Sequence, residues 1–208
     1  MPGADALELN IFFVVTDPLV SGEAVEQRYI GLVAAACKLA TVRIAVKLGP
    51  YFSSLPHFAS RLIDAGARGL VLFNRYFQPD LSTSELRTFP RLTLSTPRDV
   101  QPSLRWIGVL NGRVAGSLAA SGGIHTADDA VKAILVGADA VMCASVLYEK
   151  GVHCLEQIVA GVASWLDANE FSSISQARGI LSQLRCPDPS AFERANYTKA
   201  LSSFVAGS

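Results

Sequence analysis

The run Thr126-Ala127-Asp128-Asp129-Ala130-Val131-Lys132-Ala133-Ile134-Leu135-Val136-Gly137-Ala138-Asp139-Ala140-Val141-Met142-Cys143 decides the fold. Thr126 and Asp129 have capping-box spacing, in which two side chains satisfy backbone N–H groups at a helix start. Val131, Ile134 and Leu135 follow at helical spacing. Gly137 can adopt the left-handed conformation that stops a helix. A short apolar strand then begins at Ala140. The run therefore reads as helix, glycine stop, strand, which is the second half of a βαβ unit.

The same signature recurs upstream, as Gly3-Ala4-Asp5-Ala6-Leu7-Glu8-Leu9 and Gly66-Ala67-Arg68-Gly69-Leu70-Val71-Leu72. Helical patterns alternate with these strands. Ser21 caps one helix, with Val25, Tyr29, Leu32, Val33, Ala36 and Leu39 on a single face. Ser54 caps the next, with Pro56 in its first turn and Phe58, Leu62 and Ala65 inward. Leu155, Ile158, Val159, Val162 and Trp165 mark another, an amphipathic piece runs from Ile174 to Leu184, and Pro189 starts a last helix. Five short apolar strands fall at residues 6–12, 43–48, 69–73, 116–120 and 140–143. Such alternation implies an α/β fold with a parallel sheet. Periodicity alone leaves a doubly wound sheet and a (β/α) barrel both open. Residues 75–105 break the rhythm with Pro79, Pro90, Pro97 and Pro102. They read as an excursion with a small edge strand at Leu92-Thr93-Leu94-Ser95, and long loops of this kind often cover a site.

Of the 208 residues, half are apolar and 17% are charged, enough for one well-filled domain. Eighteen basic residues balance eighteen acidic ones, which reads against a nucleic-acid partner. No apolar run is long enough to span a bilayer, and no basic-then-apolar leader opens the chain. The four cysteines form no CxxC pair, and the simplest setting is reducing and cytoplasmic. His57, His125 and His153 have no metal-like arrangement, and His125 reads as an exposed residue at a helix start. There is no P-loop and no Gly-x-Ser-x-Gly elbow.

Polar residues cluster where strands end, the ligand-binding edge of parallel α/β folds. Asn10 ends the first strand, and Asn74 follows the third. Each serves either as a turn residue or as an amide partner for a planar heterocycle. Lys47 lies inside the apolar second strand. Its charge either reaches solvent along the stem, meets an anion, or leaves the amine to form a Schiff base. Glu8 reads as pointing toward the surrounding helices or a partner at the strand bottom. Ser121-Gly122-Gly123 and Ala144-Ser145 are either ordinary turns or backbone cradles for a phosphate.

These motifs, in order, resemble the dihydroorotate dehydrogenase family. The likeness rests on Leu7-Glu8-Leu9-Asn10, Val46-Lys47-Leu48, Phe73-Asn74, Ser121-Gly122-Gly123-Ile124 and Ala144-Ser145. More narrowly, Leu48-Gly49-Pro50-Tyr51-Phe52-Ser53-Ser54, Leu72-Phe73-Asn74-Arg75 and Cys186-Pro187-Asp188-Pro189 are similar to the bacterial dihydroorotate dehydrogenase-like proteins. The resemblance implies a TIM-type (β/α) barrel, of which five strands of eight are countable here, with FMN at the carboxyl ends of the strands. It implies a flavin oxidoreductase that takes hydride from a small CH–CH substrate, as in pyrimidine biosynthesis. Lys47 would be the catalytic cation, beside the flavin ring. Asn10 and Asn74 would contact flavin or substrate, and Ser121, Gly122, Gly123, Ala144 and Ser145 would hold the phosphate. The family's Cys or Ser base, shortly after the first asparagine, falls near the apolar Phe13, with Thr16 and Asp17 the nearest substitutes. Arg75 stands where the dehydrogenases often have a small hydroxyl residue. The strand count suggests a C-terminal barrel fragment or shortened product, completed by a second copy or a partner chain. The competing readings are a Schiff-base lyase or aldolase using Lys47, and a non-catalytic barrel remnant.

Overall fold

The computed structural model describes residues 3–75 and 78–193. Five parallel strands form one sheet: β1 (Ala6–Asn10), β2 (Arg43–Leu48), β3 (Gly69–Leu72), β6 (Ser117–Ser121) and β7 (Ala140–Met142). Their spatial order, β1-β2-β3-β6-β7, follows the chain without reversal. A doubly wound sheet reverses its order at a switch point, and this one does not. The winding is that of a (β/α) barrel, with five strands.

The linking helices are α1 (Gly22–Leu39), α2 (Leu55–Asp64), α3 (Gln101–Leu110) and α4 (Ala127–Val136). After β7 come α5 (Ser145–Lys150), α6 (Cys154–Ala168), α7 (Ile174–Ala177) and α8 (Ser190–Glu193). The β4 (Pro79–Ser82) and β5 (Arg87–Pro90) strands pair antiparallel in a separate hairpin. No helix among the described residues is long and apolar enough to cross a membrane.

Register sorts the sheet into two unlike faces. Residues paired across parallel strands share a face, and successive residues alternate. Ile44, Val46, Leu48, Leu70, Leu72, Leu118 and Ala120 lie on one face and are buried. The same core takes in Tyr29, Val33, Phe58, Leu62, Ile107, Leu110 and Ala133 from α1 to α4. On the opposite face Glu8, Ala45, Lys47, Ala119, Ser121 and Met142 are half-buried or exposed. Gly69 and Val71 are the buried members of that face.

Glycines at the repeats behave as their sequence implies. Gly66 and Gly137 have φ of +113° and +117°. Gly137 caps α4, and its N–H donates to the Ile134 carbonyl. Thr126 and Asp129 form the expected capping box, and the Ser21 hydroxyl accepts the Ala24 N–H. Ser54 stands at the N-cap of α2 but makes no side-chain cap bond.

Several expectations need correction. Leu32 and Leu39 of α1 are exposed, as are Leu155 and Val159 of α6. α1 packs against α2 and β2, and α6 against α4 and α5, which leaves these four side chains uncovered. Leu92–Ser95 forms no strand, and the hairpin precedes it at Pro79–Pro90. The stretch from Ile174 to Leu184 is helical only over Ile174–Ala177 and continues as turns. The α3 helix begins within residues 75–105, which read as an excursion. Pro97 opens a 3-10 turn over Pro97–Val100, and Pro102 sits in the first turn of α3. Proline fits a first turn, where its missing N–H costs nothing, so here it starts helices instead of breaking them.

A Cβ on Gly137 would fall 2.3 Å from the Asn111 side-chain nitrogen, at a left-handed backbone angle. Gly137→Ala is therefore expected to destabilise the protein by about 1–3 kcal/mol, seen as a lower midpoint in urea unfolding with an unchanged slope.

Candidate functional site

The carboxyl ends of the strands close around a cleft of about 430 Å³. That lies within the roughly 300–1,000 Å³ usual for small-molecule sites. Lys47, Asn74, Ser121, Gly122, Gly123, Ala144 and Ser145 all line it. Seven of the eight residues expected from the sequence thus share one hollow. Asn10 stands beside it, where its side-chain oxygen accepts from Asn74 Nδ2 at 2.7 Å. The pair forms because Asn10 is the register partner of Lys47, while the Asn74 N–H is anchored to the Leu48 carbonyl at 2.7 Å.

Lys47 has a partner that the sequence reading placed elsewhere. Glu8 turns to the same face of the sheet as Lys47, not toward the helices. Its Oε1 lies 3.7 Å from Lys47 Nζ, with both side chains partly exposed. Across β1 and β2, Glu8 pairs with Ala45 and Asn10 with Lys47. The lysine charge therefore meets an anion within the protein itself. Schiff-base lysines are activated by an apolar pocket or a neighbouring cation, and Lys47 has a carboxylate instead.

The glycine turn is built against the segment before α3. Gly122 and Gly123 have φ of +86° and +76°. A Cβ on Gly123 would fall 2.2 Å from the Val100 nitrogen, so only glycine fits. A Cβ on Gly122 would meet nothing within 4 Å, which leaves open space over that backbone. Beneath the turn, the buried Ser103 hydroxyl donates to the Leu72 carbonyl at 2.7 Å and is 3.1 Å from the Ser121 carbonyl. It ties the ends of β3 and β6 together.

Sequence reasoning missed a set of cleft residues. Ser95 is 4% exposed, and its N–H donates to Ser145 Oγ at 2.8 Å. Arg75 lines the cleft and donates from Nη1 to the Thr93 carbonyl at 2.8 Å, with Asp99 3.9 Å from its other terminal nitrogen. Cys143 and Tyr148 also line it. The signal that could have found Ser95 is its place in the polar end of Leu92-Thr93-Leu94-Ser95, just before the helix start at Pro97. His125, expected at the surface, is 7% exposed, because Ser95 and the α5 helix cover it.

Thr16 and Asp17 are exposed, and neither lines the cleft. The loop after β1 runs instead into a second hollow, of about 530 Å³, lined by Phe12, Phe13, Tyr29, Tyr51 and Phe52. Phe13 packs edge-on against Tyr29, with ring centres 5.0 Å apart. Although larger, that hollow holds no ammonium group and no glycine turn, so the chemistry gathers in the smaller cleft. Among the described residues no cluster of three or more His, Cys, Asp or Glu is placed to hold a metal.

No protein-family model matches the chain. Individual proteins do. The chain is 29% identical over 185 residues to a protein of Aeropyrum pernix assigned as dihydroorotate dehydrogenase A (fumarate), covering 85% of this chain and 59% of that one. It is also 29% identical over 170 residues to the catalytic subunit of dihydroorotate dehydrogenase B (NAD(+)) from Pelobacter propionicus, covering 80% and 53%. The relatives it matches are dihydroorotate dehydrogenases. The fold of the chain matches the ligand-free DHODH of Eimeria tenella, with a TM-score of 0.64 at 20% identity, over 85% of this chain and 55% of that one. The chain spans between half and three-fifths of the length of those relatives.

Cys143 gives the cleft a chemical probe. Burial, then the neighbouring Cys154 and Asp129, push its thiol above the ordinary value of 9.0. The thiolate is the reactive form. At pH 8, Cys143 should thus be alkylated by iodoacetamide more slowly than an unstructured cysteine peptide. Its rate should still be rising with pH where that of the free peptide has levelled off. Mass-spectrometric labelling at Cys143 measures both.

Proposed function

We propose that the cleft binds FMN and that the chain supplies the flavin site of an oxidoreductase related to dihydroorotate dehydrogenase. The observation that carries this reading is the convergence of Lys47, Asn74, Gly122, Gly123 and Ser145 on one hollow at the strand ends. The homologous proteins add support, since those named above are dihydroorotate dehydrogenases.

The residues present fit the group. A phosphate needs donors it can approach closely, and the open space over Gly122 permits contact with backbone there. The Ser145 and Ser121 hydroxyls and the Gly123 turn line the same end. A planar heterocycle needs in-plane partners, and the Asn74 amide oxygen supplies an acceptor, while its Nδ2 donates to Asn10 Oδ1 and the Ile11 carbonyl. When bound, FMN supplies two-electron redox chemistry to the site.

The chain's own residues have separable tasks. Lys47 holds a positive charge against the ring, where negative charge develops on reduction. Glu8 keeps that ammonium group in place at 3.7 Å before any ligand arrives. Asn10 fixes the Asn74 amide by accepting one of its hydrogens, so that the Asn74 oxygen stays free for the ligand. Leu94 and Leu92 line the cleft and exclude water from it. Arg75 stands at the same cleft as a second cation, suited to an anionic substrate such as a carboxylate. The substrate is a small molecule that gives up two hydrogens from adjacent carbons. A second copy or a partner chain completing the sheet edges belongs to the same reading.

Lys47→Ala tests this assignment. The Lys47–Glu8 pair is partly exposed, and such pairs contribute about 1 kcal/mol or less. Circular dichroism and the melting curve should therefore change little. Affinity for FMN, followed by quenching of flavin fluorescence, should fall about tenfold or more, as expected for one charged contact. Equal affinity and equal flavin reduction rate in Lys47→Ala and the parent protein would show that Lys47 does not face the flavin.

A further inference from the structure

A chain of polar contacts runs from the surface of α5 to the cleft. Glu149 Oε2 lies 3.5 Å from His125 Nδ1. His125 Nε2 lies 3.3 Å from Ser95 Oγ, and Ser95 Oγ donates to Ser145 Oγ at 2.7 Å. Gly123 N–H also donates to Ser95 Oγ, at 3.3 Å. Ser145 and Ser95 line the cleft, Ser95 almost wholly buried, and His125 is buried behind them.

Counting hydrogens fixes the direction of this chain. A serine hydroxyl has one hydrogen and two lone pairs. Ser95 gives its hydrogen to Ser145 and accepts from Gly123. Its contact with His125 must then be donated by the ring, so Nε2 carries a hydrogen. Ser145 Oγ accepts twice, from the Ser95 N–H and the Ser95 hydroxyl. Both its lone pairs are engaged, and its own hydrogen is left to point elsewhere, toward the cleft.

The Ser95, His125 and Glu149 side chains also have the order of a hydrolytic triad. Ser95 cannot act as a nucleophile, because it is 4% exposed and its hydrogen is already given to Ser145. The arrangement positions a donor; it does not activate an attacker.

We propose that His125 is a positioning residue for phosphate binding: through Ser95 it holds the Ser145 hydroxyl as a hydrogen-bond donor to the phosphate group of the cleft's ligand. This rests on the reading of the cleft as an FMN site and assigns the origin of its preference for a phosphorylated flavin. The ring donates to Ser95 from Nε2, while its Nδ1 faces the Glu149 carboxylate at 3.5 Å. The other titratable or charged groups around it are Asp129, whose carboxylate accepts the His125 backbone N–H, and Lys150 and Cys154, which share a small hollow with the ring. None of these lies between His125 and Ser95.

The test compares FMN with riboflavin, which lacks the phosphate. Dissociation constants are measured by flavin fluorescence for the parent protein, His125→Ala, His125→Gln and Ser145→Ala. The parent protein should prefer FMN. His125→Ala and Ser145→Ala should each lose about three- to tenfold of that preference, with riboflavin affinity unchanged. His125→Gln offers an amide donor in place of the ring N–H, so it should restore the preference. If His125→Ala folds and keeps the full FMN preference, or if His125→Gln folds and does not recover what His125→Ala loses, the proposal fails while the flavin site stands. If the parent protein binds neither flavin, the reading of the cleft fails, and this proposal with it.

Discussion

In a parallel sheet the side chains of register partners fall on the same face, and this constraint organises the whole molecule. Asn10 pairs with Lys47, Lys47 with Val71, and Val71 with Ala119. The apolar residues between them, Val46, Leu48, Leu70, Leu72 and Leu118, are thereby turned to the helices and buried. A slip of one residue in any strand would exchange the two sets. Lys47 would then enter the core without an anion, at a cost no surrounding group offsets. The Lys47–Glu8 pair exists only because the register holds, and the cleft exists because small and polar side chains occupy the face the helices do not cover.

The second organising element is the segment between the hairpin and α3. It reaches the turns that follow β3, β6 and β7. Ser95 bonds to Ser145 after β7, and Val100 packs so close to Gly123 that no side chain fits there. Ser103 bonds to the carbonyl groups ending β3 and β6. One stretch of nine residues, from Ser95 to Ser103 in the first turn of α3, thus fixes three strand ends relative to one another. Its prolines contribute to this, since Pro97 and Pro102 each begin a helical turn and leave few conformations for the residues between.

The strands and the glycine stops were legible because each depends on local chemistry. Gly66 and Gly137 announce left-handed backbone, and the alternation of strand and helix follows from apolar spacing. Seven cleft residues were legible for a related reason: in this winding the strand ends converge, whatever the details of packing. What escaped depends on contacts distant in sequence. Glu8 meets Lys47 only across the β1–β2 register, 39 positions apart in the chain. Ser95 and His125 meet 30 residues apart, in a pocket that local hydropathy does not encode. The exposed Leu32, Leu39 and Val159 read as core because helical spacing reports an apolar stripe, not whether a neighbour covers it. The α3 helix was hidden by reading proline as a breaker when its position made it a starter.

The loop after β1 shows how packing far from the cleft shapes its chemistry. The resemblance to the dehydrogenases places a base just beyond Asn10, near Phe13. Here Phe13 stacks edge-on against Tyr29, which in turn packs against Phe52 and Phe58. Tyr29 is 1% exposed, so this cluster is part of the α1–α2 core and not a loose surface contact. Aromatic pairs of this geometry each contribute about 0.5–1.5 kcal/mol beyond the area they bury. Drawing the loop back over the cleft would break the Phe13 contact and uncover Tyr29. The loop is therefore held by the core on the side away from Lys47, and Thr16 and Asp17 are carried with it. The polar groups left to act on a bound molecule are those the strand ends and residues 92–95 supply. That set includes two cations, Lys47 and Arg75, and the hydroxyls of Thr93, Ser95, Ser121 and Ser145, and its one thiol is held protonated by burial. A site with those groups favours an anionic ligand held by charge and hydrogen bonds over one whose proton is taken by a thiolate.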